Sequence, residues 1–508
     1  MAMSEIRLLY AVNEITKGIE LIRQDLSILV LVQNLAFAKK VDIVWAGEDG
    51  VWHTLPAEYH STSENDEEYW NATETFHSAP DKALPGDIQF ALRYQVLGEE
   101  YWDNNNSLNY KSRTNACIQL AGHHPLLNIG FSSHLDDDQK LVPITVAVNH
   151  PVEAEKVSVH WTTDDWKHTH TTRCYLKSYL ALERDESTIQ DGVQIWKTLL
   201  NVGKYFRLQY SICCESEDDV LWDNNAGQNY SASRKPLNVM ILNLHCYQEE
   251  NQDYKLSQIA RAIDELNVDV VCFQEVAEHW NDAQGDWETN TAKIINDRLE
   301  SPCHLHTDWS HLGFDQYREG VAILSRYPIV IYDSRYVSDS EGPYNIHARK
   351  AVMAQIDVPC FGLINFFSSH ISWWADGFAE QFENLRSWAD VHHKGQVMAT
   401  LLCGDFNIKA GSRGYELVVD SGDYEDQFLA ANSPKLFEKI YRHKRRNWQR
   451  YLADDHRIDY IFMKKSSELR VVSARVIFTE EVYGSVSDHE GYLMTFEPVY
   501  LRNETGSQ

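Results

Sequence analysis

Apolar and polar residues in the first half of the chain alternate over short distances, as in Ile88 to Tyr94 (IQFALRY) and Tyr205 to Tyr210 (YFRLQY). A period of two sends successive side chains to opposite faces of an extended segment, so both stretches predict half-buried strands. Leu26 to Ala38 is apolar but shorter than a bilayer span, and Gln33 and Asn34 interrupt it. Residues 1–25 mix helical periods and predict no element. From Leu237 the pattern changes. Leu237 to Asn243 (LNVMILN) and Val268 to Glu275 (VDVVCFQE) are apolar runs ending on a polar residue, and between them Leu256, Ile259, Ala260, Ile263 and Leu266 recur at helical spacing. Buried strands alternating with amphipathic helices predict an α/β architecture. Ser231 to Pro236 reads as the linker where the character changes.

The first half repeats itself. Lys40-Val-Asp-Ile-Val-Trp45 returns as Lys156-Val-Ser-Val-His-Trp161, and Tyr101-Trp-Asp-Asn104, running on to Tyr110, returns as Leu221-Trp-Asp-Asn224, running on to Tyr230. Two all-β sandwich modules at 26–112 and 139–232 are the simplest account. Trp-Asp-Asn-Asn has two readings. A flat ring beside short amides suits a sugar, the ring covering C–H groups while the amides exchange hydrogen bonds with neighbouring hydroxyls. Alternatively, Asn and Asp shape a tight hairpin and Trp plugs a core.

The run Val30 to Val41, then Trp45, then Tyr101-Trp-Asp-Asn104 to Tyr110 resembles the starch- and glycogen-binding modules of carbohydrate-binding family 21, and the second copy is similar. The resemblance implies an α-glucan ligand, held by Tyr101, Trp102, Asn104 and Asn109 in the first copy and by Trp222, Asn224 and Asn229 in the second. Leu221 stands where the first copy has an aromatic ring, so one stacking contact is missing there. Asp136-Asp-Asp138, in the connection between the copies, reads as a solvated loop.

Composition narrows the classes. With 46 Lys and Arg against 75 Asp and Glu the formal charge is -29, which opposes an electrostatic, sequence-independent grip on nucleic acid. Nine cysteines show no pair of CxxC elements and do not read as a disulfide framework. No secretory signal and no transmembrane segment is read at the N-terminus. The expectation is a soluble, cytoplasmic protein.

In α/β folds, ligand groups gather at strand ends. Those ends collect Asn243, Glu275, His370, Asp405 and Asn407 (in LLCGDFN, Leu401 to Asn407), Asp459, and Asp488-His489. Carboxylates and imidazoles without a cysteine pattern suit a hard, oxygen-seeking cation such as Mg²⁺ or Mn²⁺. In this order, and with Gly320 to Pro328 (GVAILSRYP), the motifs over 236–500 resemble the endonuclease/exonuclease/phosphatase superfamily. The resemblance implies a four-layered α/β sandwich that hydrolyses a phosphate ester. It implies a metal held by Asn243 and Glu275 with Asp488 opposite, and a proton handled by Asp405 beside Asn407. It further implies His489 oriented by Asp459, and His370 donating to a phosphoryl oxygen. A phosphodiester is the leading substrate, nuclease-like or sphingomyelinase-like, so nucleic acid stays open as a partner. The alternatives are a phosphomonoesterase on a phosphorylated sugar, inositol or polysaccharide, and an inactive glycogen-binding scaffold. Arg442, Lys444, Arg445 and Arg446 are either a phosphate grip, with Trp448 stacking on a base or sugar, or a solvated helix face. Ser372-Trp-Trp374 is either a substrate-facing loop or an apolar plug.

Overall fold

Alternation becomes sheet throughout the first of two units, Met1–Lys235, and layers of sheet and helix make the second, Pro236–Gln508. The computed structural model describes residues 5–17, 22–62, 67–78, 83–114, 117–120, 125–149, 152–179, 193–217, 219–225, 227–281, 283–342, 344–444 and 447–499. Among these residues no helix is long and apolar enough to cross a membrane.

In the first module, one sheet runs in the order Cys117–Leu120, Ile6–Lys17, Ile22–Gln33, Glu67–His77, Glu58–Thr62. The facing sheet runs Trp52–Pro56, Lys39–Ala46, Ile88–Val96, Glu99–Asp103, with Tyr110–Ser112 also on Ile88–Val96. Ile28, Val30, Ile43, Phe90 and Leu92 fill the space between. The second module repeats this around Ala154–Thr162 and Arg207–Ser216, with Val146, Val159, Leu208 and Ile212 in its core. The repeat extends to ring packing. Trp45 lies 4.9 Å from His53 and Trp161 4.6 Å from His170, while Phe90 on Tyr110 and Tyr210 on Tyr230 stack at 5.3 and 5.2 Å.

Two local expectations are corrected. Residues 1–25 contain the strand Ile6–Lys17. A register shift between Leu8 and Tyr10 breaks its alternation, and Leu9 and Tyr10 face an apolar cluster shared with Leu127, Ala147, Val193 and Ile195 of the second module. A strand bulged and covered on both faces has no clean period of two. Ser231 to Pro236 is not a free linker either. Tyr230–Ser233 is a strand, and the fully buried Arg234 donates to the carbonyls of Tyr205, Gln139 and Gly203 at 2.9, 2.7 and 2.9 Å and to that of Asp136.

The second unit packs two sheets face to face. One is ordered His304–Gly313, Tyr317–Ser325, Val270–Asn281, Leu237–Asn243, Gly491–Pro498, Leu469–Ile477. The other is ordered Ile329–Tyr336, Lys350–Val358, Gly362–His370, Val397–Asp405, Asp459–Lys464, Tyr424–Asp426. Gln252–Glu265 and Thr291–Asp297 cover the first, and Phe378–His392 and Arg413–Ser421 the second, which makes four layers. The sheets are tied through their shared interior. Gln274 Nε2 donates to Ser368 Oγ at 3.0 Å, and that hydroxyl donates to the Phe273 carbonyl at 3.0 Å. Among the described strands of this unit, Leu237–Asn243 with Val270–Asn281 and Gly362–His370 with Val397–Asp405 are the pairs that run parallel. The remaining pairings are antiparallel, so strand starts and strand ends meet at one edge.

Candidate functional site

That edge carries the polar constellation. Asn243 closes its strand fully buried, and its Nδ2 donates to Glu275 Oε1 at 2.9 Å and, across the sheets, to Asp405 Oδ2 at 3.2 Å. Its Oδ1 accepts from the His245 amide at 3.1 Å, which fixes the amide's orientation. Asn243 therefore presents nitrogen, not oxygen, to the carboxylates. Glu275 lies inside a long strand rather than at its end, where a register shift between Phe273 and Val276 opens a bulge and its φ is 48°. The bulge turns its carboxylate out of the sheet alternation and toward the site.

The LLCGDFN segment depends on its glycine. Gly404 has φ of 132°, and a Cβ there would lie 2.1 Å from the Ser369 carbonyl oxygen, so only glycine lets the neighbouring strand approach. Asp405 follows at 2% exposure and accepts from the Asn407 amide at 2.8 Å. Asn407, at φ 51°, donates from Nδ2 to the Ile371 carbonyl at 3.0 Å and to His370 Nε2 at 3.1 Å. The ring proton of His370 is thereby placed on Nδ1, 4.0 Å from Glu275 Oε1. Burial first, then the charges of Arg349 and His489, hold His370 well below its ordinary value, so it is neutral.

Asp459 opens its strand opposite Asp405, and its Oδ2 accepts from His489 Nδ1 at 2.8 Å. His489 Nε2 then points into the site, 3.9 Å from Asp405 Oδ2 and 4.0 Å from Asp488 Oδ1. Burial alone would lower His489. The hydrogen bond and charge of Asp459, joined by Asp405 and Asp488, override it and raise the imidazole to about 9. Burial and the neighbouring Asp459 charge push Asp405 up to about 8.

Three groups at this edge escape the strand-end reading. Glu319 stands near the start of Tyr317–Ser325, 3.5 Å from His311 Nε2. Arg349 immediately precedes Lys350–Val358, and its Nε donates to Ser372 Oγ at 3.3 Å. His245 bonds Glu249 at 2.7 Å and lies 3.6 Å from Asp488. A glutamate directly before a glycine in an otherwise apolar strand was the available signal for Glu319.

The donors fit a divalent cation. Glu275, Glu319, Asp405 and Asp459 are all raised, burial being the largest cause in each. The buried Oδ1 of Asp459 has no hydrogen-bond partner. His245, Glu249 and Asp488 can bring three ligand atoms within 4.8 Å of one another; Asp405, Asp459 and His489 have the same spacing, but there the protonated imidazole itself supplies the positive charge. Buried carboxylates in such excess over cationic side chains are stabilised by a hard metal ion.

The basic stretch is differently placed than expected. Arg442 is bound to Glu425 and lies over the Phe437 ring at 5.2 Å, so it is not an unengaged phosphate grip. Lys444 is exposed, while Arg445 and Arg446 lie outside the described residues. Trp448 is 6% exposed in the core against Tyr415, which removes it as a stacking platform. Ser372-Trp-Trp374 divides between its two readings: Trp373 is 52% exposed, whereas Trp374 packs on Phe378 under Arg413.

In the repeated hairpins much of the Asp-Asn chemistry is structural. Asp103 Oδ2 accepts from Tyr110 at 2.8 Å and Asp223 Oδ2 from Tyr230 at 2.7 Å. Asn104 and Asn224 side-chain oxygens accept turn amides at 2.9 and 3.0 Å, and Asn109 and Asn229 take left-handed φ of 56° and 67°. The tryptophans face solvent, Trp102 at 46% and Trp222 at 52%, while Tyr101 packs toward Tyr94. Hairpin and sugar face are thus compatible: the acids and amides rigidify the turn that presents the ring.

The Endonuclease/Exonuclease/phosphatase family profile matches residues 240–489. The carbohydrate/starch-binding module (family 21) profile matches twice, over 17–113 and 128–233. Glucoamylase 1 of Rhizopus oryzae is 34% identical over 90 residues, 17% of this chain and 14% of that protein. Protein phosphatase 1 regulatory subunit 3E of Mus musculus is 35% identical over 82 residues, 16% of this chain and 28% of that protein. The chain therefore spans less than a third of either relative. Among solved structures, an endonuclease/exonuclease/phosphatase family protein from Leptotrichia buccalis C-1013-b is 26% identical with a TM-score of 0.42, covering 51% of this chain and 99% of that one. Residues 240–489 are a domain of the endonuclease/exonuclease/phosphatase family, carried behind two starch-binding modules of family 21.

Proposed function

We propose that the second unit is a divalent-metal-dependent phosphoester hydrolase, with a phosphodiester as its leading substrate, and that the two modules hold it on α-glucan. One observation carries the reading. Five strands from two sheets, with the loop at His489, bring Asn243, Glu275, His370, Asp405, Asn407, Asp459 and His489 into one chain of contacts, none longer than 4.0 Å. When bound, a divalent cation neutralises charge on the phosphoryl oxygens; Glu275 and Asp488 are the residues to hold it, with Glu319 beside them. Asp405 takes a proton from the attacking water, a task suited to a carboxylate raised toward neutrality. Charged His489, its Nδ1 fixed by Asp459, stabilises the phosphoryl group and supplies a proton to the leaving oxygen. Neutral His370, steadied by Asn407, donates from Nδ1 to a non-bridging oxygen.

A monoester on a phosphorylated glucan is the second reading, favoured by the two starch-binding modules, which would concentrate the enzyme on such a polymer. A panel of oligonucleotides, sphingomyelin, inositol phosphates and phosphorylated glucan, assayed with wild type and His489→Ala, tests both. Turnover of one class, lost in the variant, is expected. Equal turnover by the two proteins would remove His489 from the mechanism, and turnover of no class would remove the hydrolase reading.

A further inference from the structure

The second module's hairpin is faced by a wall from the first. A cavity of about 580 Å³ lies between Trp222 and Asn224 on one side and Arg7, Glu67, Tyr69 and Asn71 on the other, within the roughly 300–1,000 Å³ that small-ligand sites occupy. The walls are joined directly: the Tyr69 hydroxyl donates to Asn225 Oδ1 at 2.6 Å. The first-module wall is held in place by its own polar pairs. Arg7 and Glu67 form an ion pair at 3.0 Å, with side chains 26% and 14% exposed, and Ser27 donates to Asn71 Oδ1 at 3.1 Å. Behind it, the apolar cluster around Leu9 and Leu31 is continuous with the second module, so the two walls keep their spacing.

The lining has a definite chemistry. Leu9, Leu29, Leu31 and Phe131 give the cavity apolar surface, and Trp222, 5.0 Å from His160, stands among the lining residues. Two amides and a paired guanidinium and carboxylate offer donors and acceptors in forks that match vicinal hydroxyls. Arg7 and Glu67 cancel across the wall, and the remaining acid of the lining, Asp223, is already engaged by the Tyr230 hydroxyl and the Asn128 amide, so the lining offers no unengaged charge to an ion. A neutral polyhydroxylated chain meets both requirements.

We infer that the tandem modules form one composite cleft for a single neutral α-glucan segment, built from the Trp222 hairpin and the Arg7–Glu67–Tyr69–Asn71 wall, in addition to the hairpin at Trp102. This rests on the reading that the modules take α-glucan. It makes the first module a contributor to the second module's binding strength. Leu221, which lacks an aromatic ring, loses importance because Tyr69 and the ion pair of the first module supply contacts its own hairpin does not.

The test is calorimetric titration of the full chain with maltoheptaose. In Trp102→Ala the remaining binding reports the cleft. Adding Asn71→Trp, which fills the cleft from the first-module side, should weaken that binding at least tenfold, and adding Trp222→Ala should do the same. Adding the milder Tyr69→Phe should weaken it several-fold without altering the fold. Binding in Trp102→Ala that is indifferent to Asn71→Trp and Tyr69→Phe yet lost with Trp222→Ala would confine the site to one hairpin and overturn the composite cleft. Binding lost with Trp102→Ala alone would overturn it while leaving the glucan reading intact. No maltoheptaose bound by wild type would overturn both.

Discussion

Three carboxylates face the imidazole of His489, and their combined pull outweighs its burial. The sign of the consequence follows from its position above the ordinary 6.5. A histidine raised in the folded state adds stability that is fully present below the unfolded value and is lost as pH rises through the folded one. For the metal-free protein that window runs from about 6.5 to about 9. The Asp459–His489 contact at 2.8 Å carries most of the pull. In EDTA-treated protein, the His489 ring resonances should therefore titrate near 9 in wild type. In Asp459→Asn, where burial acts with less opposition, the midpoint should fall toward the ordinary histidine range. An unchanged midpoint would show that Asp459 does not set the charge. The same scale holds the strained positions. Glu275 and Asn407 both adopt left-handed φ, and both sit among the reacting groups rather than in distant turns.

At the scale of elements, the organising fact is that strand starts and strand ends meet. The strand-end reading found Asn243, His370 and Asp405 because each closes a strand, or lies near its close, in a parallel pair. It named Asp459 and His489 as well, although these open or precede antiparallel strands. Their neighbours Glu319 and Arg349, also at strand starts, escape it because they precede the apolar runs of their strands instead of following them. Glu275 was legible as a residue but not as a bulge, since one inserted position leaves the apolar pattern of VDVVCFQE intact. The basic stretch failed differently. A tryptophan among arginines looks like a nucleic-acid platform, but the short helix at Trp448–Leu452 turns Trp448 inward against Tyr415. Trp448→Ala should accordingly cost about 3–5 kcal/mol in denaturant unfolding, as deletion of a buried ring does, with KM for the best phosphoester unchanged in the fraction that stays folded. A raised KM with stability intact would restore the stacking role.

At the scale of the whole molecule, the fold class was legible because period-two and apolar-run patterns occupy separate halves of the chain. The packing of the two modules against each other was not. Leu9, Tyr10 and Leu31 are ordinary strand residues in sequence, and only the structure sets them against Val193 and Ile195. Leu9→Ala, although a change in the first module, should therefore reduce hydrogen-exchange protection in the second module's strand Val193–Asn201. Protection lost only in the first module would mean that the shared cluster couples nothing. The formal charge of -29 bears on substrate as well. An acidic protein gains little from the counterion release that drives duplex binding, which weighs against bulk duplex DNA but not against a short or single-stranded target. In the proposed hydrolase a divalent cation and the Asp405–His489 pair act together on the phosphoester. The most direct measurement of this is hydrolysis of the best substrate in excess EDTA, again after Mg²⁺ or Mn²⁺ is restored, and in Asp405→Asn. Hydrolysis should be lost in EDTA and recovered with the metal, and turnover in the variant should fall by about 10²–10⁴-fold. Hydrolysis that persists in EDTA, or near-normal turnover in Asp405→Asn, would contradict that joint action.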